Sequence, residues 1–169
     1  MSSRVSLKRS TRSSRDLGTR EAYWEGLILL DASLSSGEVI TVGPDNYLIQ
    51  STNFDPASSA IAFFAAKSNA VLHHMSISEY VSGGNVVQTW VTANASVTAY
   101  GEIVTAKLRQ EDPGLLDQTR YIFQVPKAIS VSALERMVYD GSNYQVESVD
   151  QIGLRGVSRI QLSTDKRPD

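Results

Sequence analysis

Two stretches of the chain, 97 positions apart, read alike. Residues 38–51 run Glu-Val-Ile-Thr-Val-Gly-Pro-Asp-Asn-Tyr-Leu-Ile-Gln-Ser, and residues 135–148 run Glu-Arg-Met-Val-Tyr-Asp-Gly-Ser-Asn-Tyr-Gln-Val-Glu-Ser. They share Glu38/Glu135, Asn46/Asn143, Tyr47/Tyr144 and Ser51/Ser148. Each reads as a strand, a four-residue turn and a second strand. Turn chemistry alone favours Asn at such a position, so the match is either chance or one β-hairpin unit used twice. If it is a duplication, the half-repeats span 21–78 and 86–165, and Tyr47 and Tyr144 stand on equivalent sides of their sheets.

The rest of the chain past residue 20 also reads mainly as β. From Thr89 to Ala99, Val91, Ala93, Ala95, Val97 and Ala99 alternate with Trp90, Thr92, Asn94, Ser96 and Thr98, the period of a half-buried strand. Tyr121, Phe123 and Val125 alternate likewise until Pro126. Asp140-Gly-Ser-Asn143 turns one hairpin, and Ser82-Gly-Gly-Asn85 can turn another. Ile160 and Leu162 mark a last short strand, and Asp112-Pro-Gly114 is a loop. Ile61–Ala66 fits a short helix or a strand equally. Residues 17–30 carry helix formers, but Gly18 and Gly26 oppose a long helix. The predicted fold is mainly β, a small barrel or sandwich with long loops.

Charge is distributed unevenly. Six of the sixteen basic residues (Arg4, Lys8, Arg9, Arg12, Arg15 and Arg20) and one acid, Asp16, occupy the first 20 positions, a net +5 that leaves −7 for residues 21–169. A basic, Ser-rich segment buries too little apolar surface to offset its ordering entropy alone. The expectation is therefore a flexible arm over 1–20 attached to one β-rich domain over 21–169. The arm carries no aromatic residue for base stacking, which favours an acidic protein surface over nucleic acid as its receiver. No apolar run approaches the roughly 20 residues of a membrane helix. The basic N-terminus lacks a signal-peptide core, so the chain is expected to be made in the cytoplasm without a membrane partner.

No catalytic, cofactor-binding or metal site is legible. There is no cysteine, which excludes disulfides and thiol chemistry. His73 and His74 are adjacent, so in a strand they face opposite ways, and a surface or subunit-contact role is expected for them. Neither a Gly-x-Ser-x-Gly elbow nor a phosphate loop is present. Asp140, Glu147 and Asp150 read as a solvated strand edge. Trp24, Trp90, Tyr100 and Phe123 either fill a small β core or anchor an interface. Trp90, on the more polar face of its strand, and Tyr100 are the candidate interface residues.

The run Glu135–Tyr139, the strand Tyr144-Gln-Val-Glu-Ser-Val-Asp150 and the closing Gly156-Val-Ser-Arg-Ile-Gln-Leu162 resemble the last strands of tailed-phage head-closure proteins, the stoppers and head–tail connectors. Asp45–Ile49 and Lys67–Leu72 are similar to the first sheet segment of longer members. The matched stretches cover a third to a half of the chain, and the basic arm departs from the pattern. The resemblance implies a noncatalytic β-barrel protein of the virion neck. Such proteins form homo-oligomeric rings of six or twelve copies next to the portal, adaptor or tail-terminator ring. Double-stranded DNA passes through them without specific binding. Subunits would meet through strand edges and long loops, including the stretch 80–118. The competing expectation is a monomeric β-module that binds carbohydrate or peptide, with Tyr47 and Tyr144 as exposed platforms.

Overall fold

Period-two patterns dominate the sequence, and among the described residues they become eleven strands. A computed structural model describes residues 5–10, 22–29 and 33–168. In chain order the strands are β1 (Val5–Arg9), β2 (Tyr23–Leu29), β3 (Val39–Val42), β4 (Asp45–Asp55), β5 (Ala60–Lys67), β6 (Ala70–Ser82), β7 (Asn85–Ile103), β8 (Tyr121–Pro126), β9 (Arg136–Tyr139), β10 (Ser142–Leu154) and β11 (Val157–Thr164). The one α-helix among the described residues is α1 (Ala106–Glu111), whose first turn is capped by the Thr105 hydroxyl accepting from Leu108 N–H; Lys127–Ile129 form a single 3-10 turn. All paired strands are antiparallel and fall into two sheets. The first is five-stranded, in the order β1-β2-β5-β4-β3, and the second is a closed barrel, β10-β11-β8-β7-β6-β9. Ile61–Ala66, open between helix and strand from sequence, lies in β5. Flanking β2 and β4 bury its Phe63, Ala65 and Ala66, and that burial decides the assignment.

The 97-residue offset extends through the tertiary structure. In the N-terminal half Val39 pairs with Leu48 and Val42 with Asp45; in the C-terminal half Arg136 pairs with Gln145 and Tyr139 with Ser142, at the same offset. Both second strands carry a bulge at the same place, between Ile49 and Ser51 and between Val146 and Ser148. Ile49 N–H donates to the Glu38 carbonyl at 2.9 Å, as Val146 N–H does to that of Glu135 at 2.9 Å. Ser35 N–H donates to the Glu38 carboxylate at 2.9 Å, and Ser132 N–H to that of Glu135 at 2.7 Å, which gives the shared Glu a turn-closing role. Ile28, Leu34, Tyr47, Ile49, Phe63 and Ala65 form one core; Val125, Val131, Tyr144, Val146, Ile160 and Leu162, their counterparts, belong to the other. β1 and β7 also correspond, for Leu7 faces Gly26 as Gly101 faces Phe123, with three more residues from Gly101 to Phe123 than from Leu7 to Gly26. The repeated unit thus comprises β1–β5 and β7–β11, with starts at Val5 and near Tyr100 in place of 21 and 86.

One strand breaks the symmetry. In the second unit β6 lies between β7 and β9, pairing Leu72 with Val97 and His74 with Met137, and so closes the barrel. Among the described residues the first unit has no counterpart of β6, so β1 and β3 remain edges of a half-barrel. The two units meet through Tyr23 and Tyr100, whose rings lie 5.6 Å apart, beside Ala22 and Ala66. The side chain of bulged Gln50 crosses this junction to Gln124.

Candidate docking surface

Beyond the barrel β6 and β7 continue as a two-stranded ribbon, from Ser76 paired with Val91 to Ser82 paired with Asn85. Gly83 and Gly84 both take positive φ at its turn, the geometry a two-residue hairpin needs. β9 pairs with β6 only at residues 73–75, and β8 with β7 only at 100–103. Among the described residues both outer edges of the ribbon are therefore unpaired. Its apolar side chains face solvent, with Val81 74 % and Val86 65 % exposed and Ile77, Tyr80 and Val91 also exposed. The alternation seen in the sequence thus buries Val97 and Ala99 but leaves Val91, Ala93 and Ala95 outside, because the barrel ends before they are reached.

Trp90 fixes the ribbon to the barrel. Its ring lies against the guanidinium groups of Arg136 (4.2 Å) and Arg167 (4.7 Å), and its Nε1–H donates to the Pro168 carbonyl at 3.1 Å. Asp165 joins the two arginines, accepting from Arg136 Nε at 2.8 Å and from Arg167 Nε at 2.9 Å. Desolvation pushes the Asp165 carboxyl up, but hydrogen bonds from Arg167 and then Arg136 outweigh it and hold it at about 2. The candidate interface role of Trp90 is thereby taken up largely inside its own chain. Tyr100 is buried at the junction of the units, where its hydroxyl donates to Glu102 at 2.5 Å, and burial pushes its phenol far up. It is an intrachain contact and presents no surface to a partner. Tyr47 and Tyr144 are likewise buried, each in its own core, so neither is an exposed platform.

The two histidines do face opposite ways, with different consequences. His73 meets the Thr92 hydroxyl at 2.9 Å near the surface. His74 is buried, 2.8 Å from Glu135 and 3.0 Å from Asn94, because its side chain points into the barrel; the expected surface role does not hold for it. Among the described residues no cluster of His, Asp or Glu is placed to hold a metal ion, and no helix is long and apolar enough to cross a membrane.

Of the basic segment, Lys8 and Arg9 lie in β1; Arg4, Arg12, Arg15 and Arg20 lie outside the described residues. The expected arm is corrected over 5–9. Val5 and Leu7 pack on the half-barrel core, and this short apolar alternation outweighs the charge beside it. Lys8 sits 4.0 Å from Glu25, and Arg9 lies 5.9 Å from the Trp24 ring. Next to Lys8 and Glu25, a groove of about 710 Å³ crosses the half-barrel sheet between Leu27, Ser51, Asn53 and Phe64.

Sequence reasoning missed Arg136, Asp165 and Arg167 as the ribbon's anchor, because their pairing spans about 30 residues with no local signal. The ribbon itself had one: residues 76–92 hold a single charge, Glu79, and no proline. Compared with known proteins, the chain matches no family model and no curated relative.

Proposed function

We propose that this chain is a noncatalytic ring subunit of a phage virion neck, joining the DNA-filled head to the tail. The observation that carries the reading is the pairing of unlike surfaces on one molecule, an open half-barrel and a projecting apolar ribbon. Unlike, mutually complementary patches make head-to-tail contacts, and such contacts close into rings when the rotation allows. The resemblance of 135–162 to the closing strands of head-closure proteins supplies the kind of ring. A body carrying −7 suits a channel wall that DNA passes without adhering, since like charge discourages phosphate contact. The basic residues of 1–20 would meet a neighbouring portal, adaptor or tail-terminator ring, and that contact would weaken with added salt.

Light scattering and negative-stain imaging of the purified chain, alone and with a portal ring, test the reading. Closed rings of six or twelve 18.5 kDa copies are expected. A chain that stays monomeric in both preparations would overturn it. The groove beside Lys8, Glu25 and Phe64 favours the second reading, a monomeric module for carbohydrate or peptide. Saturable binding to a glycan or peptide array by a persistent monomer would establish that reading instead.

A further inference from the structure

We propose that the β6–β7 ribbon of one copy enters the open side of the N-terminal half-barrel of a second copy, between β1 and β3. The inference rests on the self-association in the reading above, and it holds with or without a neck.

The chain itself supplies the template. In the second unit the strands equivalent to β1 and β3 are β7 and β9, and β6 lies between them, antiparallel to both. The first unit repeats the register, the bulge and the core of the second, yet its β1 and β3 end the sheet. Its core cluster is accordingly flanked by half-buried Val5, Leu7, Ile40 and Val42 along those two edges. A strand inserted there would cover apolar side chains and pair open backbone groups at once.

The ribbon has the chemistry of the missing piece. Natural edges avoid sticking by means of lysine, proline or short length. Residues 76–92 use neither residue, and their one charge is Glu79. Seven successive residue pairs make the ribbon about 23 Å long at roughly 3.3 Å per residue, long enough for either edge. The acceptor edge β1 carries Lys8 and Arg9, opposite in sign to Glu79. A ribbon of this kind is marginal alone in water, and among the described residues it is anchored at its base, by Trp90.

Its own half-barrel is out of reach. The opposite, barrel end of β6 and β7 lies against the first unit, where Ser68 Oγ donates to the Ala99 carbonyl at 2.8 Å and Ser68 N–H to the Asn46 carbonyl at 2.8 Å. From Ala70 the strand runs away for 13 residues to Gly83, about 40 Å at roughly 3.3 Å per residue. Donor and acceptor are thus separated within one copy and joined between copies.

Cysteine pairs test this directly, because the chain has no cysteine of its own. Thr41→Cys on β3 is mixed with chains carrying Val81→Cys, Val86→Cys or Gln88→Cys and oxidised in air. Disulfide-linked dimers are expected for at least one of the three mixtures. Ile152→Cys, at a solvent-exposed position near the end of β10, should give none with the same partners. In parallel, Val81→Asp/Val86→Asp in the full chain should retain its circular dichroism and weaken self-association at least tenfold. Cross-linking no better than the Ile152→Cys control, or an unchanged mass for the folded double variant, would overturn the proposal. Linked open chains without rings would keep this inference and remove the neck reading; rings with no ribbon cross-link would do the reverse.

Discussion

Asp165 is the residue on which the C-terminal end of the barrel depends. Its side chain is fully covered, and it pairs with buried Arg136 as well as Arg167, whose guanidinium groups both lie against the Trp90 ring. The folded carboxyl sits at about 2 against an ordinary 3.8. A depressed carboxyl contributes stability that is whole above the unfolded value and is lost as pH falls through the folded one. The contribution is about 2 kcal/mol, lost between about pH 4 and pH 2. Asp165→Asn should lower stability by about 3–5 kcal/mol near neutrality, since it leaves Arg136 buried without its counter-charge. The gap in urea stability between wild type and variant should narrow by about 2 kcal/mol between about pH 5 and pH 2. A gap independent of pH would show that Arg136 draws its support from the Arg167 and Pro168 carbonyls, 3.0 and 3.1 Å away.

At the scale of elements, the duplication makes one unit a control for the other. Gly37 and Leu134 occupy the same turn position and both take positive φ, +90° and +69°. In the first unit glycine is obligatory, because a Cβ there would meet the Gly156 carbonyl oxygen at 1.9 Å. In the second a leucine is held left-handed, which costs about 1–2 kcal/mol, while its side chain remains 60 % exposed and recovers little by packing. Leu134→Gly gives back about 0.5–1 kcal/mol through the unfolded chain's extra freedom. A net gain of about 0.5–1 kcal/mol is therefore expected from thermal or urea unfolding, and a loss would mean that Leu134 packs on something in the assembled protein. The hairpins themselves were legible, since Gly43-Pro44 and Asp140-Gly141 are local turns, although the structure puts Asn46 and Asn143 just past them in β4 and β10, while Glu38 and Glu135 close the turns before β3 and β9. The equivalence of β1, β2 and β5 with β7, β8 and β11 was not, because Phe63 against Ile160 or Ala65 against Leu162 preserves burial without preserving identity. β1 was hidden for a different reason, its two apolar residues being set among Arg4, Lys8 and Arg9. The long reach of β6 and β7 past the barrel was invisible because alternation reports a strand's two faces and says nothing of whether a core lies behind one of them.

For the whole molecule, the asymmetry between the units predicts unequal independence. The C-terminal unit, with β6, closes on itself around a core of Leu72, Val97, Phe123, Met137, Val146 and Ile160. The N-terminal unit has a smaller buried set and two open edges, and about 60 residues is marginal for any lone domain. Cutting the chain between Ser68 and Asn69 exposes Tyr100 and Ala66 and breaks the Gln50–Gln124 contact, a loss borne by both pieces. The fragment 69–169 should nevertheless unfold in one cooperative urea transition with dispersed amide resonances. The fragment 1–68 should show neither property alone. Adding the folded fragment 69–169 should order 1–68 in two ways: by restoring the junction around Tyr23 and Tyr100, and by offering the ribbon to β1 and β3. Repeating the addition with Val81→Asp/Val86→Asp separates them, because those positions touch the ribbon and not the junction. Full ordering by the double variant would assign the stability of the half-barrel to the junction; ordering only by the wild-type fragment would assign it to strand donation. Cooperative folding of 1–68 by itself would show that the half-barrel needs no closing strand, and the reason for placing the ribbon there would fall with it.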